Sequence, residues 1–246
     1  MPGDRGLMLT VLGCAGSSFD AESRQPCSSY LIESAGAALL LDCGFGSFES
    51  LRALAPSVRL DAIVLSHAHR DHVADLESFL GTATQWRAEP RLIAARPTIE
   101  SLAFDPRDSA RAEFVVDGET VVSDGYAVEC ATTRHQIPTL AVQVNAGGAR
   151  VVYGADSGPG WTVPASFRNA DLAIIECTLE TRDEQSSPYH LDAREVAQLV
   201  GELSPATTLL THVPPGGSGV RRRELVREWA PNARVVLAER GLVIEL

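Results

Sequence analysis

The sequence predicts an α/β protein, and three observations carry that prediction. Short apolar runs of strand length recur at 7–12, 37–41, 60–65, 171–177 and 207–210. Between such runs lie stretches of helical periodicity, chiefly 73–86, where Val73, Leu76, Phe79, Leu80 and Ala83 share one face. The two halves of the chain are also alike in outline, each with strand hairpins first and then strand and helix in alternation. A chain of 246 residues is long enough for one large domain of two or four layers, or for two small domains. Its 45% hydrophobic and 22% charged residues are ordinary for a globular protein.

In chain order, residues 7–12 form a strand that runs into the small-residue turn Gly13-Cys14-Ala15-Gly16-Ser17-Ser18, and 19–27 is a polar loop expected near the mouth of a site. Residues 29–33 and 37–41 pair as a hairpin over Ala35-Gly36. The second strand stops at Asp42-Cys43-Gly44-Phe45-Gly46, where glycine permits close backbone approach. Asp42 is either an ordinary turn aspartate or a residue that holds a neighbouring loop by hydrogen bonds. A short helix over 48–54, closed by Pro56, precedes the strand 60–65. Then come the amphipathic helix 73–86, a strand over 91–95, a helix over 98–104, and a polar linker or flap over 105–112. Strands over 114–122 and 126–132 have turns at Asp117-Gly118 and Asp124-Gly125. Strands 140–144 and 150–153 make a hairpin that ends in Gly154-Ala155-Asp156-Ser157-Gly158. The strand 171–177 has an apolar interior that stops at Glu176. Helix 192–203 has Asp192 as its N-cap and Glu195 three residues on, the capping-box spacing. Strand 207–210 leads into Thr211-His212-Val213-Pro214-Pro215, and a helix over 221–229 with strands over 234–238 and 242–246 closes the chain.

Lys and Arg number 21 against 32 Asp and Glu, a net charge of −11, which opposes unaided attraction to long nucleic acid or to an anionic membrane. The chain has neither a signal-type leader nor an apolar run of about 18 residues, so a cytoplasmic protein is expected. Five scattered cysteines without C-x-x-C spacing read as reduced thiols, mostly small core residues.

The chemistry concentrates in Ser66-His67-Ala68-His69-Arg70-Asp71-His72, which holds three of the six histidines. Imidazole and carboxylate are the ligand types of borderline and hard divalent metals. His67 and His69, two apart in an extended segment, point the same way and can share one ion, whereas Asp71 and His72 follow a turn and can face a second. The remaining histidines, His135, His190 and His212, also lie at predicted strand ends or helix entries, so none of the six is left over as a core or surface residue. Two ions roughly 3.5–4 Å apart would clamp an in-line displacement, and Asp156 in its glycine-flanked turn is the natural carboxylate to bridge them.

His-Ala-His-Arg-Asp-His at 67–72 resembles the H-x-H-x-D-H signature of the metallo-β-lactamase-fold hydrolases. His135 in His-Gln-Ile-Pro-Thr, Asp156, and His212 in Leu-Leu-Thr-His-Val-Pro-Pro follow in family order. Tyr189-His190-Leu191-Asp192 resembles the histidine motif of the ribonuclease Z and phosphodiesterase branch, and the chain looks closest to small bacterial members grouped with cyclic-nucleotide phosphodiesterases. The resemblance implies a four-layer αβ/βα sandwich, with 1–246 as a single domain. It implies one ion on His67, His69 and His135, a second on Asp71, His72 and His212, and Asp156 between them, with zinc expected and manganese or iron compatible. His190 would protonate the leaving oxygen, positioned by Glu176, so that Asp71, His190 and Glu176 form the expected catalytic set. The chain departs from ribonuclease Z in lacking a long basic insertion of the kind that grips transfer RNA. It also has Leu191-Asp192 after His190, where relatives usually have Ser or Thr.

The function expected is a dinuclear metal-dependent phosphodiesterase acting on a small phosphodiester such as a cyclic nucleotide. The partner is a small-molecule substrate, with no membrane or long nucleic acid, and a homodimeric state is left open. The same centre would serve an acyl hydrolase (lactonase, thioesterase or esterase), and a lesser alternative is a non-catalytic metal-binding regulatory protein. Arg221-Arg222-Arg223 reads as the solvated start of a helix or as a contact to substrate phosphate, and Trp86, Trp161 and Trp229 read as core.

Overall fold

The computed structural model describes residues 6–17, 25–82, 86–183 and 185–246. In chain order the strands of the first half are β1 (Met8–Gly13), β2 (Ser29–Glu33), β3 (Ala38–Leu41), β4 (Ala62–Leu65), β5 (Arg91–Ala94) and β6 (Arg111–Phe114). Those of the second are β7 (Thr120–Ser123), β8 (Tyr126–Thr132), β9 (Leu140–Ala146), β10 (Ala149–Tyr153), β11 (Leu172–Glu176), β12 (Thr207–Thr211), β13 (Val235–Leu237) and β14 (Val243–Glu245). They form two seven-stranded mixed sheets, ordered β14-β1-β2-β3-β4-β5-β6 and β13-β12-β11-β10-β9-β8-β7. The helices are α1 (Ser47–Leu54), α2 (Arg70–Val73), α3 (Leu76–Leu80), α4 (Arg96–Glu100), α5 (Ala193–Leu203) and α6 (Gly219–Trp229).

Strand alternation builds the layers. Leu39 and Leu41 of β3 and Ala62 and Val64 of β4 turn to the centre, where they cluster with Val142 and Val144 of β9 and Leu172 and Ile174 of β11. Their neighbours Leu40, Ile63 and Leu65 turn outward and cluster with Leu51 of α1, Leu76 and Phe79 of α3 and Ile99 of α4. On the other sheet Ala173 and Ile175 turn outward to Val196 and Val200 of α5 and Val226 of α6. Three apolar clusters therefore separate four layers, helix, sheet, sheet and helix. Each fully buried Leu, Ile or Val contributes roughly 1.5–3 kcal/mol. All five cysteines are free and buried, and burial pushes the thiols of Cys14, Cys27 and Cys130 up to about 12. No helix among the described residues is long and apolar enough to cross a membrane.

Several elements differ from the sequence reading. The helix expected over 73–86 is split into α2 and α3. Asp75 lies between them, its N–H drawn to Cys43 O at 3.0 Å and its carboxylate accepting from Phe48 N at 2.9 Å. Helix α3 ends at Leu80, and Trp86 instead makes a parallel bridge with Leu60. The helix expected over 98–104 is Arg96–Glu100, with Pro97 in its first turn, where a missing N–H costs nothing. The stretch 114–122 is divided between the two sheets, because the chain crosses from β6 to β7 around Gly118. The linker expected over 105–112 contains a short 3₁₀ turn, Pro106–Asp108, and already enters β6 at Arg111. The loop expected over 19–27 lies outside the described residues up to position 24, as do residues 1–5.

Candidate metal centre

Strands β3 and β4 run parallel in one sheet, and β10, β11 and β12 run parallel in the other. Their carboxyl ends, where open α/β sheets hold ligands, deliver the polar residues of one site. Asp42 follows β3, Ser66 to His72 follow β4, Asp156 follows β10, Glu176 ends β11 and His212 follows β12. His135 comes from the β8–β9 connection and His190 from the segment entering α5. Three of these exits pass through a left-handed residue other than glycine, namely Asp42 at φ 55°, Ala155 at φ 48° and His212 at φ 59°. Such backbone costs roughly 1–2 kcal/mol per residue and clusters at functional sites.

The histidines and aspartates converge from these ends into two facing groups. In the first, His69 Nδ1 lies 3.0 Å from His67 Nε2 and 3.1 Å from His135 Nε2. In the second, His212 Nε2 lies 3.2 Å from His72 Nε2 and 3.1 Å from Asp71 Oδ2. Asp156 stands between them, and its two oxygens divide. Oδ2 is 3.6 Å from His67 Nε2 and 3.6 Å from His135 Nε2, whereas Oδ1 is 3.4 Å from His72 Nε2 and 3.2 Å from His212 Nε2. Donors held by a tetrahedral ion at 2.0–2.1 Å lie about 3.3–3.4 Å apart, so these spacings suit ions within each group. Asp156 Oδ1 is buried yet accepts no hydrogen bond, an oxygen whose natural partner is a cation. The donor set fits a divalent metal, and the seven residues expected from the sequence are all in these groups.

The outward nitrogens fix the tautomers. His72 Nδ1 donates to Asp42 Oδ2 at 2.7 Å and His135 Nδ1 to Tyr189 O at 3.0 Å, both pure acceptors. Ser66 Oγ donates to Asp42 Oδ2, so it accepts from His67 Nδ1 at 2.9 Å. Thr178 Oγ1 donates to Glu176 Oε2, so it accepts from His212 Nδ1 at 2.9 Å. In each neutral ring the Nε2 lone pair then faces the centre, the orientation that an outer partner gives a metal-binding histidine. Close packing depends on two glycines as well. A Cβ on Gly16 would fall 2.6 Å from His212 Nδ1, and one on Gly44 would fall 2.1 Å from Asp71 O.

Electrostatics separate the two groups. Burial holds His67, His69 and His135 below the usual imidazole range. Burial acts the same way on His72 and His212, but Asp156, helped by Asp42 and Asp71, outweighs it and raises both. Burial likewise opposes ionisation of Asp156 and Asp71, and the facing histidines override it and hold both carboxyls well down. The first group is thus biased toward the neutral form of its imidazoles and the second toward the protonated form.

His190 sits beside the centre. Its Nδ1 is 3.0 Å from Glu176 Oε1 and 3.9 Å from Asp156 Oδ2, and its ring stacks on His212 with centroids 5.6 Å apart. Glu176 is buried and also accepts from Ser157 N at 2.9 Å. Burial would lower His190, but the Glu176 hydrogen bond and charge prevail and hold it above its usual value. Among the described residues, nothing hydrogen-bonds His190 Nε2.

Residues outside the sequence-level set complete the site. Asp42, open between two readings in the sequence, is fully buried and accepts from Ser66 N at 2.7 Å and from Tyr153 Oη at 2.7 Å besides Ser66 Oγ and His72. Asp42→Ala should cost about 3–5 kcal/mol in urea unfolding, the usual loss when one partner of a buried pair is removed. It should also weaken metal binding by roughly 10–100-fold in a chelator competition, as loss of an outer partner does. Tyr153 meets Asp42 over 111 positions and Thr178 meets His212 over 34, so neither contact leaves a local sequence signal. Arg222 is buried and donates to Thr178 O at 3.0 Å, so it is neither solvated nor a phosphate contact, whereas Arg221 is exposed. Trp86 and Trp161 are core, but Trp229 is exposed beneath the Arg194 guanidinium, 4.7 Å from its ring centroid.

The family model described as the β-lactamase superfamily domain matches residues 37–213. The probable metallo-hydrolase YhfI of Bacillus subtilis (strain 168) is 29% identical over 248 residues, 97% of this chain and 100% of that protein. The YhfI crystal structure superposes with a TM-score of 0.84 at 26% identity, covering 98% of this chain and 99% of that one. A ribonuclease Z of Mycobacterium sp. (strain KMS) is 28% identical over 250 residues, 86% of each chain. The crystal structure of a diphosphatase from the PhnP family shares the fold, with a TM-score of 0.78 at 19% identity over 98% of this chain and 97% of that one.

Proposed function

Because the chain belongs to the β-lactamase superfamily and is a metal-dependent hydrolase, we propose that it cleaves small phosphodiesters with two divalent ions, zinc first among them. The reading takes 1–246 as one domain, with one ion on His67, His69 and His135, the other on Asp71, His72 and His212, and Asp156 shared. The observation that carries it is the division of the Asp156 carboxylate, one oxygen turned to each histidine group and Oδ1 without a hydrogen bond. Bound there, the ions supply an acidified water as nucleophile and neutralise charge on a phosphoryl oxygen.

The chain's own residues do the rest. Asp71 and Asp156 hold the negative charge that fixes the cations, and Asp42, Ser66 and Thr178 keep the imidazoles turned inward. His190, held at Nδ1 by Glu176, keeps Nε2 free to give a proton to the departing oxygen. That acid is most useful where an alkoxide leaves, which supports a phosphodiester over an acyl bond. Similarity to a ribonuclease along 86% of the chain supports phosphorus as the reacting atom. The net charge of −11 and the absence of a basic insertion favour a small substrate over long nucleic acid. Five free buried thiols accord with a cytoplasmic setting.

Elemental analysis of protein purified without chelator, paired with hydrolysis of bis(p-nitrophenyl) phosphate and of a p-nitrophenyl ester, tests this reading. Two equivalents of metal with diester cleavage are expected. Cleavage of the carboxylic ester alone would replace it by an acyl hydrolase, and a single equivalent would remove the shared role of Asp156.

A further inference from the structure

The segment that carries His190 is not part of a strand or helix, yet its carbonyls are held almost one by one. Ser187 O accepts from Arg182 Nη1 at 2.7 Å, Tyr189 O faces His135 Nδ1 at 3.0 Å, His190 O accepts from Arg182 Nη2, and Leu191 O accepts from Leu179 N at 3.0 Å. Pro188 O packs against Gly158, where a Cβ would fall 2.6 Å from it. Two of these holds come from one guanidinium. Arg182 is fixed in turn at the start of α5, with Nε 2.8 Å from Glu195 Oε1 and Nη2 2.8 Å from Glu195 Oε2, a two-pronged pair. Its own N–H donates to Asp192 Oδ2 at 3.0 Å. Asp192 and Glu195 close the capping box of the same helix, at 2.8 and 2.9 Å. Arg182 thus ties the His190 backbone to the rigid first turn of α5.

We propose that Arg182 is a positioning residue that sets the His190 imidazole on Glu176, and that without it the proton on its way to the leaving group is delivered out of register. The kinetic part of this inference rests on the phosphodiesterase reading of His190. The structural part does not. A lysine would keep the charge at 182 but lacks the planar fork that reaches two carbonyls and a carboxylate together. Arg182 is partly exposed and far from burying the core, so the effect is one of geometry and not of general stability.

The experiment uses the zinc-loaded protein and compares the parent, Arg182→Ala, Arg182→Lys and His190→Ala on phenyl and p-nitrophenyl diesters. The phenyl oxygen is the more basic leaving group and has the greater need of an acid. Arg182→Ala should lower kcat about 10–100-fold on the phenyl diester, less than the roughly 10²–10⁴-fold that the general acid itself supplies, but by less than about 3-fold on the nitrophenyl diester, with KM and metal content unchanged. The His190 Nδ1 proton resonance, assigned through its absence in His190→Ala, should lose its hydrogen-bonded shift in both Arg182 variants. Should Arg182→Ala fail to fold, Arg182→Lys gives the same two readouts. Equal losses on both diesters, or an unmoved Nδ1 resonance, would overturn the proposal. If His190→Ala itself shows no dependence on the leaving group, the acid role of His190 falls, and the resonance alone decides whether Arg182 positions the ring.

Discussion

Asp156→Ala should bind at most one equivalent of metal and lose at least about 10³-fold in diester hydrolysis. The first expectation follows from the divided carboxylate, since no other acidic side chain among the described residues faces both histidine groups. On the proposed reading the loss of affinity should exceed the roughly 10–100-fold that an outer partner costs, because the removed oxygens face the two histidine groups directly. The second expectation follows from charge. A metal pair gives several kcal/mol of transition-state stabilisation, and about 1.4 kcal/mol is a factor of ten in rate. Asp156→Asn separates shape from charge, because it keeps the volume but turns an amide N–H toward one group of imidazoles. Elemental analysis and steady-state rates on the same preparations check both. A variant that retains two equivalents would show that the bridge lies elsewhere.

His190→Ala should behave in the opposite way, with metal content intact and turnover of an alkyl diester lower by about 10²–10⁴-fold. Its ring is not needed to complete either histidine group, and although His190 also lies near enough to Asp156 and His212 to form a third possible group with them, its Nδ1 is committed to Glu176. Glu176→Gln should fall between the parent and His190→Ala, since an amide can still accept but no longer holds the imidazole above its usual value. A His190→Ala protein as fast as the parent would remove His190 from the chemistry.

The residues whose convergence was legible in the sequence are those announced by spacing. His67, His69, Asp71 and His72 stand within six positions, and the exit from an extended strand into a helical turn sorts them onto two sides. Asp156 and His212 could be found because glycines and prolines mark the ends of their strands. Asp42 was open between two readings, whereas Tyr153 and Arg222 were hidden for a physical reason, which is that each acts across the fold. Tyr153 meets Asp42 over 111 positions and Arg222 meets Thr178 over 44, and no periodicity reports such a contact. The misjudged elements have the same origin. The apolar face over 73–86 fits a helix, but Asp75 is claimed by Phe48 and Cys43, and Trp86 is claimed by Leu60. Residues 114–122 alternate as a strand should, but alternation does not say that the chain changes sheets in the middle.

The placement of the ligand candidates has a thermodynamic consequence. His67, His69, Asp71 and His72 leave the first sheet, while Asp156 and His212 leave the second. An ion held between them would be a further cross-link over two sheets that meet mainly through apolar contact, with hydrogen bonds such as Tyr153 Oη to Asp42 Oδ2 beside it. Its binding free energy is then added to the folding free energy, about 2.7 kcal/mol when free metal stands at a hundred times its dissociation constant. Depletion of metal would accordingly lower the melting temperature of the whole sandwich and not loosen one loop alone.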